Sequence, residues 1–458
     1  MRKWLRRSGY VLVILAASNL PAACTLPPLN RMAGDVIFLL VLLLLVLLLM
    51  VVLRPLGRES LPTRRIRTLA GGAELLQLFL VTATANVVSV LAFWGYVSPW
   101  EHSGYGRSMG FLVCLVHILA VVVAEAAVFW AGMLRVYCTS VQLGLKHRVL
   151  AALCGWIPFL NIWYLLKIIR IVSDEVEFET EKWELDETRA ENEICKTQYP
   201  LLLVHGVFFR DYRYINYWGR IPKELRRNGA TVYYRRQQSA AAVEDSGREL
   251  AARIQQIVEE TGCGKVNIIA HSKGGLDSRA AIAHQEMGPY VATLTTINTP
   301  HRGCIFAEYL LGKVPEAARR KIAETYNAAM RRMGDENPDF LAAVTDLTAS
   351  ACAARNAVTP DDPGVVYESV MSYCKRARNG KFPLNMTYPI VKHFDGRNDG
   401  LVAVDSARWG SRFTLLEPAG KRGISHGDVV DLNRENIPGF DVREFYVNLA
   451  ADLKCRGF

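Results

Sequence analysis

The sequence predicts an α/β domain, built on a mostly parallel sheet with a helical insert, preceded by an α-helical transmembrane region. Three observations lead there. Residues 36–53, VIFLLVLLLLVLLLMVVL, are apolar without a single charge, and at 1.5 Å per residue such a helix spans roughly 27 Å, close to the hydrocarbon thickness of a bilayer. From residue 199 onward, short apolar runs alternate with helical stretches, the pattern of strands joined by crossover helices. Finally, VNIIAHSKGGLDS (266–278) runs from an apolar strand through a serine set between a histidine and a glycine pair.

The chain has 458 residues, enough for more than one domain and a large core. Its 51% hydrophobic content is concentrated in residues 1–172, and its net charge of +10 is just as uneven. Residues 1–172 carry 16 Lys/Arg against 5 Asp/Glu, whereas residues 173–198 carry 3 against 10. The basic excess therefore lies beside apolar segments, as membrane topology requires, and no nucleic-acid-binding motif accompanies it. This divides the chain into a transmembrane region of four or five spans (1–172), an acidic, partly helical linker (173–198) and an α/β domain (199–458).

Within the first region, 75–98 and 110–134 are further candidate spans, and 149–166 is another. Segment 11–26 is shorter, is broken by Asn19 and Pro21, and follows Arg2, Lys3, Arg6 and Arg7. It reads as an anchor or a signal peptide; LPAAC suggests a lipoprotein cleavage site at Cys24, against which Pro21 argues. Loops 54–74 and 135–148 carry five and three basic residues, and loops 27–35 and 99–109 one each. Because basic loops stay cytoplasmic, five crossings put residue 173 onward outside. If 149–166 is re-entrant or interfacial, as Lys167 and Arg170 suggest, the rest is cytoplasmic. His117 and Glu125 fall in the fourth segment, where a role in helix pairing is expected.

In the α/β domain the expected strands are 199–206, 230–236, 265–272, 291–300, then YPIVKHF (388–394) and FTLLEPAG (413–420). Helices are expected at 221–228, 243–261 and from 274, with a helical insert at 301–385. Near-continuous apolar strands fit a sheet covered on both faces.

Strand, A-H-S-K-G, helix is the context of a serine nucleophile lifted out of a sheet on a tight turn, with small residues where the backbones approach. Serine needs a base, and the base an orienting acid. In the order Ser, acid, His, the histidine is His426, in GISHGDVVD after the last strand. His271 adjoins Ser272 and is read as structural. For the acid, HFDGRNDGLV offers Asp395 and Asp399, with Asp405 a remote third; Asp399 is favoured. Two backbone N–H donors are needed for an oxyanion. Lys273 follows the serine, and Val207 follows the His205–Gly206 turn.

Residues 199–458 thereby resemble bacterial triacylglycerol lipases of the α/β-hydrolase fold, through YPLLLVHGVFFRD, VNIIAHSKGGLDSR, TINTPHRG, NDGLV and SHGDVVDL. The resemblance implies Ser272 as nucleophile, Asp399 as acid, His426 as base, and backbone donors at Val207 and Lys273. It does not cover the membrane region. Ala270 stands where the turn often has glycine. Related lipases often bind calcium near the histidine loop; Asp428 fits one ligand position, but the stretch just before Asp399 offers no acidic partner, so calcium is doubtful and no cofactor is required.

The expectation is a multi-pass membrane-anchored serine hydrolase acting on lipid esters, with its catalytic domain extracytoplasmic and the insert as a lid. Its rivals are an acyltransferase or thioesterase on the same fold, and a non-catalytic scaffold or sensor. Cys195, Cys263, Cys304, Cys352, Cys374 and Cys455 form an even set that can pair outside the cytoplasm and stays reduced within it.

Overall fold

The computed structural model describes residues 2–26, 29–54, 61–97, 105–207, 216–235, 240–332, 334–417 and 420–458. Phe208, Phe209, Arg210 and Asp211 of the VHGVFFRD stretch therefore lie outside the described residues, as do 99–104 of the third loop. The chain forms two compact units, Met1–Leu185 and Asp186–Phe458.

The first unit contains α1 (Arg2–Ala23), α2 (Gly34–Leu53), α3 (Arg64–Val97), α4 (Tyr105–Thr139), α5 (Gly144–Cys154) and most of α6 (Leu160–Arg189). Among the described residues three helical stretches are long and apolar enough to cross a membrane: Gly34–Leu53, Arg64–Gly95 and Phe111–Thr139. The expected span at 149–166 is divided instead between α5 and α6. Pro158 and Phe159 interrupt it, and Phe159 takes a left-handed backbone (φ +64°) that a helix cannot contain. The acidic stretch 173–198 does not begin as a separate linker, because α6 runs through it to Arg189.

Helices α3 and α4 approach closely at Gly72 and Gly132, where a Cβ on either would lie 3.1 Å from the other's carbonyl oxygen. Small residues at such a crossing let backbones pack without a hydrophobic driving force. A chain of polar side chains, buried except for the half-buried Asn19, ties α1 to both. Glu125 accepts from Asn86 (2.7 Å) and Thr82 (3.1 Å), Asn86 accepts from Asn19 (2.6 Å), and Asn19 Oδ1 also meets His117 Nε2 at 2.9 Å.

The second unit opens with β1 (Leu201–Val204), α7 (Ile221–Arg227), β2 (Val232–Tyr234), α8 (Val243–Thr261), β3 (Val266–His271), α9 (Lys273–His284) and β4 (Val291–Ile297). Then come α10 (Ile305–Lys313), α11 (Glu316–Arg332), α12 (Phe340–Thr345) and α13 (Ala349–Val358). The chain closes with β5 (Val366–Ser372), α14 (Leu384–Asp395), β6 (Arg412–Leu416) and α15 (Val442–Cys455). Among the described residues the six strands are all parallel, in the order β2-β1-β3-β4-β5-β6.

Two strand expectations differ from this outcome. YPIVKHF lies in α14, where Tyr388 and Val391, three apart, share the buried face. The penultimate strand is VYESVMS, β5, inside the stretch read as a helical insert, so the helical part ends with α13. Glu368 and Ser369 broke its apolar run; Glu368 is held instead by Arg456, at 2.7 and 3.0 Å.

Side-chain alternation distributes the strands between two cores. Leu201 and Leu203 pack with Trp218, Ile221 and Tyr446, on the side of α7 and α15, while Leu202 and Val204 pack with Leu250, Ile254 and Ala281, on the side of α8 and α9. Each fully buried leucine contributes about 2 kcal/mol before chain entropy is counted. This covered sheet is the rigid base from which the loops at its carboxyl edge project.

Candidate active site

At the end of β3 the chain turns through Ser272, whose φ of +55° and ψ of −130° are strained for a residue with a Cβ. The strain is held by packing. Ser272 N donates to Ile297 O at 2.9 Å, and Gly275 N donates to Ser272 O at 3.1 Å. Glycines make room: a Cβ at Gly206 would lie 2.8 Å from that of Ser272, and one at Gly274 would lie 2.6 Å from His205 O. Ala270 is buried in the sheet below the turn, so its extra methyl is accommodated.

Asp399 and Asp395 separate clearly. Asp399 is fully buried; its Oδ1 accepts from the N–H of Leu401 (2.9 Å) and Val402 (2.7 Å), and its Oδ2 lies 2.6 Å from His426 Nδ1. Asp395 accepts from the N–H of Ile305 and Phe306 and so caps α10, while Asp405 is exposed. The sequence reading missed Asn298, at the end of β4, whose Nδ2 donates to Asp399 Oδ2 at 2.6 Å and to Ser372 Oγ at 2.7 Å. Its left-handed backbone (φ +49°) is one asparagine tolerates, and an asparagine ending a buried strand was the available signal.

Ser272, His426 and Val207 all line one cavity of about 1130 Å³, which Asp399 does not line, lying behind His426. Its wall is mostly apolar. Phe306, Leu310 and Val314 come from α10 and its end, Ile322 and Met330 from α11, and Phe340 and Val344 from α12. The carboxylate–imidazole pair can take a proton from a hydroxyl and return it. The Lys273 side chain turns away into the interior, where its Nζ lies 2.6 Å from Asp277 and 3.0 Å from Ser246 Oγ; Arg235 holds the other Asp277 oxygen at 2.6 Å. The Lys273 backbone stands at the start of α9, directly after Ser272.

His271 is closer to the chemistry than its sequence position suggests. Its ring lies 4.5 Å from that of His426, and its Nδ1 meets the Tyr217 hydroxyl at 2.5 Å. Burial, reinforced by His426, pushes its pKa well below the usual histidine value, so it faces His426 as a neutral ring. Burial also holds His205, beneath the Gly206 turn, at about 4.

The donor set does not fit calcium. Asp428 already accepts from Ser425 N (3.0 Å) and from the Arg422 guanidinium (3.0 and 3.1 Å), and no group of three His, Cys, Asp or Glu among the described residues could hold a metal. A cation of the chain itself occupies the carboxylate beside the histidine loop. All ten cysteines are free.

Comparison with known proteins finds esterases and lipases. The family model "Putative serine esterase (DUF676)" matches residues 213–330. A triacylglycerol lipase of Pseudarthrobacter phenanthrenivorans is 35% identical over 174 residues, covering 35% of this chain and 53% of that protein. Triacylglycerol lipase 2 of Saccharomyces cerevisiae is 30% identical over 265 residues, 53% of this chain and 75% of that protein. The chain spans about half the length of the first two bacterial relatives it matches. Among solved structures, the mature lipase BlEst2 of Bacillus licheniformis aligns with a TM-score of 0.40 and 24% identity, over 51% of this chain and 87% of that one.

Proposed function

Because this chain belongs to the triacylglycerol lipase family, we propose that it is a membrane-anchored serine hydrolase that cleaves carboxylic esters of lipids. Ser272 Oγ attacks the acyl carbonyl while His426 takes its proton. Asp399, fixed by Asn298 and two backbone N–H groups, orients His426 and favours its charged form. The N–H groups of Val207 and Lys273 receive the oxyanion. The ester C–O bond breaks, His426 hands its proton to the leaving alcohol, and water then releases the fatty acid from the acyl-enzyme.

The observation that carries this reading is the meeting of Ser272 and an Asp399-bound His426 at a large apolar cavity. The test is hydrolysis of p-nitrophenyl esters of increasing chain length by the full chain and by Ser272→Ala. Ser272-dependent turnover favouring longer chains is expected; equal turnover by both proteins rejects the assignment. The helices over the cavity serve as its cover. Ile305 and Tyr309 expose apolar surface on that cover, so the rate should rise steeply once the substrate aggregates. Smooth saturation across the solubility limit would remove the cover's role.

The three apolar helices serve as the anchor. The split of 149–166 between α5 and α6 supports the four-crossing reading. With the basic loops 54–74 and 135–148 inside, the chain after Thr139 remains cytoplasmic, where free cysteines are the rule. Protease added to intact, right-side-out membranes should spare the hydrolase unit; release of an active fragment would place it outside.

A further inference from the structure

A second concavity, of about 660 Å³, adjoins the reaction cavity in the hydrolase unit. Lys381 lines both, and the next residue, Phe382, lines the reaction cavity. Its wall carries six cations, Lys375, Arg376, Arg378, Lys381, Lys421 and Arg422, against the single carboxylate of Glu435. Concave walls of one sign concentrate potential on an oppositely charged ligand.

The cup is built rather than incidental. Two segments form it, 373–380 after β5 and 420–424 after β6, and they are joined across. Ile424 N donates to Tyr373 O at 3.0 Å, Asn379 Nδ2 to Lys421 O at 3.1 Å, and Lys375 Nζ to Gly420 O at 2.8 Å. A Cβ at Gly423 would lie 2.6 Å from Tyr373 O, so the segments are in direct contact.

Partners for these cations are few. Arg422 is shared by Asp428 and Glu435, and Lys381 pairs with Glu435. Arg376, Arg378 and Lys421 are exposed and have no ion pair among the described residues. Guanidinium groups suit phosphate oxygens, to which they donate in pairs.

We infer that this cup receives the phosphodiester of an anionic glycerophospholipid whose acyl ester enters the adjoining cavity. The inference rests on the ester-hydrolase reading and narrows its substrate class. The chemistry is that already described: water adds across the acyl ester, giving a fatty acid and a lysophospholipid that keeps its phosphate. Arg422 also couples the two sites, since the Asp428 it holds lies two residues beyond His426.

The test uses the full chain in neutral detergent with two monomeric substrates of equal acyl length, dibutyryl phosphatidylglycerol and dibutyrylglycerol. The expected result is a kcat/KM at least tenfold higher for the phospholipid. In the triple variant Arg376→Glu, Arg378→Glu, Lys421→Glu that preference should fall to within about twofold of unity, with p-nitrophenyl butyrate hydrolysis unchanged. Equal rates in the unmodified protein, or an unaltered preference in the variant, overturn the inference. So does a preference seen only on anionic vesicles and never with monomers, because the cup would then meet a bilayer and not the substrate.

Should the variant lose p-nitrophenyl butyrate activity as well, the unmodified protein decides. Raising NaCl to 0.5 M, or adding inorganic phosphate, should erase the preference and spare p-nitrophenyl butyrate; indifference to both overturns the inference. If the unmodified protein is inert to p-nitrophenyl butyrate, the hydrolase reading fails by itself. Calorimetric binding of glycerophosphoglycerol, present in the unmodified chain and lost in the triple variant, then still supports the cup, and no binding rejects it.

Discussion

The first unit holds a buried polar network that closes on itself; the second holds one that opens on a cavity. Glu125, Asn86, Asn19 and His117 form a chain among three helices in which each member answers the next. Asp399, Asn298 and His426 form a similar chain, but its last member faces open space shared with Ser272. Burial and hydrogen bonding are alike in both. What differs is that the last member of the second chain borders a cavity, and that is what separates a structural network from a site able to act on a ligand. Two residues of the cavity network, Ser272 and Asn298, also hold positive-φ backbones.

The contrast is largest at Ser272. Ser272→Ala should lower ester turnover by about 10⁶-fold, the scale seen when a triad nucleophile is removed, while urea unfolding is unchanged. Next comes Asp399→Asn, for which loss of an orienting carboxylate predicts a drop in kcat of about 10⁴. Asp395→Asn should change kcat by less than about tenfold and cost about 1 kcal/mol of stability, because it weakens a helix cap. The opposite ranking of the two, measured on folded proteins, would exchange their roles.

Acid should then weaken the second unit through its buried histidines. His205 is held at about 4 by burial, below its unfolded value. The unfolded chain therefore binds a proton first, and stability present above about pH 6.5 is lost as pH falls toward 4. The change is on the order of 3 kcal/mol for this residue. Denaturant midpoints across that range should fall with acidity, and His205→Asn should flatten the slope; a pH-independent midpoint contradicts the assignment. The smallest effect is expected in the first unit. Glu125→Gln should alter thermal stability in detergent by about 0.6 kcal/mol, the scale of hydrogen bonds between membrane helices, and leave ester turnover alone. A large catalytic loss would mean that the first network is not closed.

Much of this difference was legible in the sequence. Ser272 and His426 were found because strand, turn and helix leave local signatures: an apolar run, small residues at the crossing, and an ordered serine, acid and histidine. The choice of Asp399 over Asp395 was favoured but open, since both precede glycine; only the cap on α10 shows what Asp395 does. Strand β5 was hidden because Glu368 pairs with Arg456, distant in sequence. YPIVKHF passed for a strand because a short apolar run fits either period, and tertiary packing of Tyr388 and Val391 decided for the helix. The break of 149–166 was marked by Pro158, but the sequence alone left open whether the helix bends there or ends. Asn298 and the His271–His426 contact depend on distant loops meeting, which no local pattern reports.

The most direct measurement of the central proposal is covalent labelling of the folded full-length chain with a fluorophosphonate, with the modified site located by peptide mass spectrometry. The adduct should map to Ser272, within VNIIAHSKGGLDSR. It should be absent from Ser272→Ala, slow to form in Asp399→Asn, and form at the ordinary rate in Asp395→Asn. Undiminished labelling of folded Ser272→Ala, or an adduct on another residue, would contradict the account.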